Sequence, residues 1–266
     1  MKPKLNLPAG SDFSDWPDKI DTGQIIKAEA RCLIGTQHLE DGTSAVLKMY
    51  YRRGLANFIR AKLLNFRAQR EYRILRHLAS CGISCTIPLF WTHGYCREYG
   101  FYEVLCTRYI PNAIALDGFL SSEPLNDQNC DFGPLFQLVY DMHRCGAYHG
   151  ALSSKNILID ATGDPQAAYH LIDFARGWLF PGPILGKRIA WFDLRKLVKK
   201  IESHLGPGTC RSYLAQYGLG KEAIEKFYQD ARRYKSDSRK QKRIKNTLKV
   251  KVFFYALLTQ INLRLR

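Results

Sequence analysis

The sequence predicts an α+β protein in which β-rich residues precede a mostly helical C-terminal part. Strand-like runs rich in β-branched and aromatic residues occur at 44–50 and 101–110. Between them, apolar residues recur at steps of three and four, which predicts one amphipathic helix that ends before Gly82. Further along the chain the same helical spacing returns, at Leu135, Leu138, Val139 and Met142.

The composition is that of a globular protein with an anionic partner. Of the 266 residues, 46% are hydrophobic, enough for a substantial core, and no apolar run is long enough to cross a bilayer. No signal-peptide pattern follows Met1, so we expect a cytoplasmic protein. Eight cysteines are scattered without zinc-ligand spacing, which predicts buried free thiols. The net charge of +16 favours a nucleotide, nucleic acid, acidic lipid or phosphorylated glycan as partner.

One segment combines polar residues at a spacing that is typical of phosphate chemistry. His149-Gly150-Ala151-Leu152 is followed by Asn156 and later by Asp173-Phe174. Short β-rich runs follow Asn156 and precede Asp173, with turn residues between them, so a hairpin would bring the two side chains together. This pattern resembles the kinase catalytic loop H-[RG]-D-L-x-x-x-N and the strand that ends at the magnesium-binding Asp. Taken singly, Asn156 is better interpreted as a turn residue and Asp173 as a helix cap, and the two together favour the kinase pattern.

The resemblance implies that Asn156 and Asp173 bind Mg²⁺ with ATP and that His149 belongs to the catalytic loop. It also implies an Asp five positions before Asn156, where the chain has Ala151. A methyl group neither accepts a proton nor orients a hydroxyl, so the expected catalytic base is missing. Three explanations stay open: a natural pseudokinase, a base supplied by another residue, or a deliberate Asp-to-Ala substitution.

A kinase also needs an upstream lysine paired with a glutamate on a helix. Lys48 lies in a strand-like run, Ala45-Val46-Leu47-Lys48, that resembles the V-A-I-K motif, and Glu71 lies on the predicted amphipathic helix. Each residue alone is better interpreted as a solvated surface charge, but their order and spacing together favour the pair. Residues 25–35 contain only Gly35 where a Gly-rich phosphate loop is expected, so no phosphate-loop residue is assigned.

Two further kinase elements follow. A break at Pro111-Asn112 predicts a hinge near residues 106–112, and the resemblance therefore implies two lobes, residues 1–110 and residues 111–266. Asp193 lies on a predicted helix at the position where kinases brace the catalytic-loop backbone, so we expect a structural role for it.

As a set, these pieces resemble the bacterial lipopolysaccharide-core kinase family, the Kdo and heptose kinases, more than protein kinases. The resemblance covers roughly residues 25–205. It rests on five segments: Leu47-Lys48-Met49-Tyr50-Tyr51-Arg52-Arg53-Gly54, Arg70-Glu71-Tyr72 through Leu78 with Gly82-Ile83, His149-Gly150, Ile172-Asp173-Phe174-Ala175-Arg176-Gly177, and Asp193-Leu194 followed by Leu197. No A-P-E motif follows Asp173, which argues against a protein substrate.

The family implies a bilobal protein-kinase-like fold and transfer of the ATP γ-phosphate to a sugar hydroxyl of the lipopolysaccharide inner core. The implied acceptor is a lipid A precursor, and the implied location is the cytoplasmic face of the inner membrane. Candidate substrate or membrane contacts are the upstream cations Arg52, Arg53, Arg60, Lys62 and Arg67, whose alternative is solvated surface charge.

The C-terminal tail is strongly basic from Arg232 to Lys251 and runs into an apolar segment, residues 252–258. This pattern favours binding to an anionic membrane surface, and a helix packed on the domain with a solvated basic face is the alternative. The competing function is a membrane-associated scaffold that binds nucleotide or lipopolysaccharide without phosphotransfer. Nucleic acid is a more distant partner, since no nucleic-acid-binding motif is present.

Overall fold

The computed structural model describes residues 24–29, 31–39, 42, 44–52, 67–97, 100–122, 131–160 and 169–236. The chain divides into two compact units, one with residues up to Tyr72 and Pro88–Tyr109, the other with Arg73–Ile87 and residues from Ile110 on. The strands are β1 Gln24–Glu29, β2 Cys32–His38, β3 Ser44–Arg52, β4 Pro88–Cys96, β5 Gly100–Arg108, β6 Ala113–Ala115, β7 Ala147–Tyr148, β8 Ile157–Asp160, β9 Tyr169–Leu171 and β10 Trp178–Leu179. The helices are α1 Arg67–Ser80, α2 Leu116–Ser122, α3 Gly133–Arg144, α4 Arg188–Gln216 and α5 Lys221–Ser236, with a 3₁₀ turn at Ser154–Asn156.

The predicted fold class is confirmed: strands dominate the N-terminal part and helices the C-terminal part. In the first unit, five antiparallel strands form one sheet in the order β1-β2-β3-β5-β4. Successive side chains of the central strand β3 point to opposite faces of the sheet, and Ala45, Leu47 and Met49 are fully buried on one face. Lys48 and Tyr50 therefore share the other face of the strand.

Helix α1 follows the predicted apolar periodicity. Its buried residues recur at helical spacing, and the helix stops at Gly82, whose φ of +72° suits glycine. The Ile83 amide donates to the Leu78 carbonyl, which closes the C-terminal turn. At the other end, the Ala68 amide donates to Oε2 of Glu103 on β5, at 2.7 Å.

The second unit contains helices α2 to α5 and two small sheets, β6-β8-β9 and β7-β10. The β8–β9 pair is antiparallel, with Ile157 opposite Leu171, as the predicted hairpin requires. The turn residues 161–168 lie outside the described part of the chain. The two predicted lobes meet at one boundary, residue 110, whereas Arg73–Ile87 groups with the second unit. Backbone hydrogen bonds explain this, because Leu171 donates to the Ser84 carbonyl and accepts from the Thr86 amide.

Helix α4 contains the residue predicted to brace the loop, Asp193. Its first part buries Ala190, Leu194 and Leu197 along one face. The helix breaks at Gly206, where φ is 80° and ψ is 170°, and restarts with Pro207 in its first turn, where proline costs no helical hydrogen bond.

Candidate active site

In the first unit, Lys48 and Glu71 form an ion pair. Lys48 Nζ lies 2.9 Å from Glu71 Oε1, and the exposed fractions of the two side chains are 15% and 1%. The strand supplies the lysine on the face away from Leu47 and Met49, and the buried face of α1 supplies the glutamate. A glutamate so buried requires a compensating cation or donors, because an unpaired buried carboxylate is strongly destabilising.

Tyr50 is a further member of this group that sequence reasoning missed. Its hydroxyl donates to Glu71 Oε2 at 2.8 Å, so the two carboxylate oxygens of Glu71 bond to two residues of the same strand. The guanidinium of Arg67 lies 4.4 Å from the centroid of the Tyr50 ring. The signal in the sequence was the i, i+2 spacing of Lys48 and Tyr50, which places both side chains on one face of β3.

In the second unit, Asp193 holds the segment that contains His149 and Gly150. Its carboxylate accepts the backbone N–H of His149 at 2.8 Å and that of Gly150 at 3.0 Å. Asp193 is 1% exposed, so these bonds form away from solvent. Two charge-assisted hydrogen bonds to successive amides restrict the loop backbone just before Ala151.

Two residues that the sequence did not single out continue this network. The Tyr217 hydroxyl lies 2.6 Å from His143 Nδ1, and His143 Nε2 lies 3.5 Å from Asp193 Oδ2. Burial, and then the nearby Asp193, raise the pKa of Tyr217, so its hydroxyl stays protonated and donates to His143. Because a carboxylate only accepts, Nε2 carries the imidazole proton. Tyr217, His143 and Asp193 thus connect the ends of α3 and α4 to the loop.

His149 lies in the interior rather than at a surface. It is fully buried, its ring stacks on Phe174 with a centroid distance of 4.4 Å, and its Nε2–H donates to the Ile172 carbonyl at 3.0 Å. Nδ1 has no hydrogen-bond partner among the described residues. Desolvation lowers the pKa of His149, although Asp193 and Asp173 oppose this, so the ring is neutral. This geometry favours a positioning role over proton transfer.

Asn156 closes the loop on the far side of Ala151. Its Nδ2 donates to the Ala151 carbonyl at 2.9 Å, and its backbone carbonyl accepts the Ile172 amide at 3.0 Å. The second bond puts Asp173, the next residue, beside the Asn156 end of the hairpin. Asp173 has a φ of +62°, a strained value for a residue other than glycine. The backbone thus turns sharply where the predicted magnesium ligand lies.

The donor set at this hairpin end suits a hard cation. With Nδ2 of Asn156 committed to a carbonyl, the amide oxygen is the atom that faces elsewhere, and Asp173 contributes a carboxylate. Mg²⁺ prefers such oxygens and binds through one or two protein groups together with substrate phosphates. Within the described residues, no group of three or more His, Cys, Asp or Glu residues could hold a metal alone. The residues therefore fit a magnesium ion that arrives with a nucleotide.

A comparison with protein-family models identifies the family to which this chain belongs. A family model described as "Lipopolysaccharide kinase (Kdo/WaaP) family" matches residues 25–217, most of the chain. The chain belongs to this family. The resemblance inferred from the sequence is thereby confirmed, and a kinase of this family uses ATP and has lipopolysaccharide as its substrate class.

One solved structure shows the same fold as this member of the Kdo/WaaP family. "WaaP in complex with acyl carrier protein" superposes with a TM-score of 0.60 at 14% identity, covering 81% of this chain and 91% of that chain. A Rio2 kinase from Chaetomium thermophilum, in an ADP/Mg²⁺-phosphoaspartate complex, gives a TM-score of 0.49 at 17% identity and covers 85% and 74%. No curated protein matches.

The glycine of the His149-Gly150 pair has a steric basis in this chain. Gly150 has a φ of +77°, and an added Cβ would lie 2.3 Å from the Arg176 carbonyl oxygen. A residue with a side chain at this position would have to displace the segment after Asp173. The close approach of the Arg176 backbone to the loop therefore favours glycine at position 150.

The basic residues proposed as contacts fall mostly outside the described structure of this kinase-family member. The residues that the structure does not describe include Arg53, Arg60, Lys62 and the tail beyond Ser236. Nothing is described of the Arg52 side chain, and Arg67 lies over Tyr50. Within the described residues, no helix is both long and apolar enough to cross a membrane.

Proposed function

We propose that the chain is an ATP-dependent phosphotransferase of the Kdo/heptose kinase type, in a form that lacks its catalytic Asp. The observation that carries this proposal is the ordered loop around Ala151. Asp193 accepts hydrogen bonds from the two backbone amides before this residue, and Asn156 donates one to the carbonyl of Ala151. The backbone is therefore held in place at the position where a catalytic Asp is expected, although the carboxylate itself is missing.

The proposal gives each group a role. Lys48, oriented by Glu71 and Tyr50, contacts the α- and β-phosphates of ATP. Asn156 and Asp173 hold Mg²⁺, which neutralises charge on the phosphates when it is bound. His149 acts on the backbone rather than on the substrate, because its Nε2–H binds Ile172, the residue before Asp173.

Phosphate transfer in this form is slow. A positioned base contributes about 10²–10⁴-fold to a rate, and the methyl group of Ala151 provides none of it. Charge stabilisation by Lys48 and the metal acts on a largely dissociative transition state, so a residual rate remains.

The proposed acceptor is a sugar hydroxyl of the lipopolysaccharide inner core, presented on a lipid A precursor at the cytoplasmic face of the inner membrane. The net charge of +16 supports an anionic acceptor and an anionic surface. Arg52, Arg53, Arg60, Lys62, Arg67 and the basic C-terminal tail are the proposed contacts, each worth about 1 kcal/mol near such a surface.

A second candidate is a membrane-associated scaffold that binds nucleotide or lipopolysaccharide without transferring phosphate. Ala151 itself supports it, because the position of the base is occupied by a methyl group. The buried Lys48–Glu71 pair supports retained nucleotide binding in this case as well.

The test compares the chain as given with Ala151→Asp and Ala151→Asn, by measuring phosphate transfer from Mg-ATP to purified inner-core acceptor. Ala151→Asn is the matched control, because the Asn side chain has nearly the same volume and polarity as Asp but cannot act as a base. We expect Ala151→Asp to raise the rate by about 10²–10⁴-fold and Ala151→Asn to have little effect. Equal rates in all three would mean that another group acts as the base. No transfer in any of them, with Mg-ATP still bound, would favour the scaffold.

A further inference from the structure

Two cysteines meet where two helices of the second unit end. Cys81 directly follows α1, and Cys145 is the residue that caps the C-terminus of α3. The Cys81 side chain is a neighbour that acts on the Cys145 thiol, and one imidazole, that of His77, contacts both residues. Cys81 is exposed and Cys145 is partly buried, so the expectation of buried thiols is wrong for Cys81. The pair therefore combines the two requirements for a disulfide that forms and breaks, which are contact between the sulfurs and access for a reagent.

The imidazole of His77 makes this pair asymmetric. His77 Nε2 lies 2.9 Å from the Cys145 carbonyl oxygen and 3.8 Å from Cys81 Sγ. Because the carbonyl only accepts, Nε2 carries the proton and donates toward the sulfur as well. The N–H donor of His77 thus faces Cys81, the more exposed of the two sulfurs.

Cys145 has the opposite surroundings. Burial raises its pKa to about 11, and the hydrogen bond and charge of Cys81 contribute in the same direction. Cys81 is exposed and faces a donor, which suits an attacking thiol. Cys145 is less exposed and keeps its proton, which suits a resolving thiol.

We propose that Cys81 and Cys145 form a reversible dithiol/disulfide site whose oxidant is a low-molecular-weight disulfide of the glutathione class. The Cys81 thiolate attacks one sulfur of the reagent, forms a mixed disulfide and releases one reagent thiol. Cys145 then gives up its proton to solvent and attacks the Cys81 sulfur, and the second reagent thiolate leaves and takes up a proton. Two protein thiols are oxidised to one disulfide, and one reagent disulfide is reduced to two thiols.

Other cysteines of the chain provide internal controls. Cys85 and Cys106 are buried, and desolvation raises the pKa of each to about 12. Neither sulfur is accessible to the reagent in the folded protein. Cys32 is partly exposed and serves as a matched position for substitution.

The experiment treats the folded, full-length chain with glutathione disulfide and follows the products by peptide mapping under non-reducing conditions. The variants are Cys81→Ser, Cys145→Ser and the control Cys32→Ser, each checked for folding by circular dichroism. We expect a Cys81–Cys145 disulfide in the unsubstituted chain and in Cys32→Ser. We also expect Cys145→Ser to stop at a Cys81–glutathione mixed disulfide and Cys81→Ser to leave Cys145 as a thiol.

A second measurement does not depend on these variants. A disulfide between Cys81 and Cys145 closes a long loop, so the oxidised protein should have a higher Tm than the same protein after reduction. A mixed disulfide on Cys81 that persists in the unsubstituted chain would overturn the proposal, as would a disulfide that forms only after the chain is unfolded.

Discussion

Among single residues, Gly150 combines two constraints on one backbone position. Its φ of +77° disfavours any side chain, and a Cβ would lie 2.3 Å from the Arg176 carbonyl oxygen. Gly82 has a similar φ of +72° but nothing within 4 Å of an added Cβ. The two glycines therefore separate the effect of backbone strain from the effect of a clash.

We predict that Gly150→Ala lowers the free energy of unfolding by about 3 kcal/mol and that Gly82→Ala lowers it by about 1 kcal/mol. The larger loss has a steric cause, because the segment after Asp173 must move. Urea denaturation of both variants measures the difference. Equal losses would mean that the Arg176 carbonyl does not restrict position 150.

His149 predicts a pH dependence whose sign follows from its burial. Desolvation lowers the pKa of the folded imidazole below its ordinary value of about 6.5, so around that pH the unfolded chain binds more protons than the folded one. Stability therefore falls as the pH falls through the unfolded pKa. Protonation would also place a second N–H on Nδ1, an atom without a partner among the described residues.

We predict that replacing the imidazole in His149→Gln removes part of this acid sensitivity. The free energy of unfolding of both proteins is measured between about pH 7.5 and pH 5. On acidification the free energy of unfolding should fall more steeply for the unsubstituted chain than for His149→Gln. The difference in stability between the two proteins should therefore become smaller. Parallel curves would show that His149 does not contribute to the pH dependence.

Among the elements, helix α1 depends at its N-terminus on a residue from a distant strand. Glu103 on β5 is 3% exposed and accepts the Ala68 amide, and α1 has no acidic residue in its own first turn. A carboxylate at this end satisfies an unpaired donor and interacts favourably with the helix dipole.

We predict that Glu103→Gln lowers the free energy of unfolding by about 1–2 kcal/mol, because the charge is lost from a buried site at a helix terminus. Glu222→Gln is the matched control: Glu222 also lies in a first turn, that of α5, but it is exposed. Its effect should be about 0.3 kcal/mol. Chemical denaturation of both variants gives the comparison, and similar small losses would contradict a capping role for Glu103.

In the whole molecule, the proposed ligand set predicts that folding and nucleotide binding are coupled. A ligand that binds only the folded state at 100 times its Kd stabilises that state by about 2.7 kcal/mol. The proposal places Mg²⁺ at Asn156 and Asp173, so the stabilisation should require both ATP and the metal.

We predict that Mg-ATP raises the Tm of the chain as given, that chelation of the metal removes most of this shift, and that Asp173→Asn does the same. Asp230→Asn, at an exposed position on α5, is the control and should keep the full shift. Thermal denaturation monitored by fluorescence provides the measurement. A shift that persists in Asp173→Asn would remove this residue from the proposed metal site.

Local signals in the amino-acid sequence were sufficient to predict the main elements and the family. The fold class, the strand that contains Lys48, the helix that contains Glu71 and the hairpin between Asn156 and Asp173 follow from local signals: periodicity, turn residues and motif spacing. These signals lie within a few residues of the features they predict, so one chain was enough to read them.

The side-chain contacts between residues far apart in the sequence could not be predicted in this way. Glu103 caps a helix whose Ala68 lies 35 positions earlier, Tyr50 shares Glu71 with Lys48, and Tyr217 reaches Asp193 through His143. The burial of His149 was equally hidden, because a motif specifies the residue but not its surroundings. Such contacts depend on packing between distant segments, and packing leaves no periodic trace in the residues that make them.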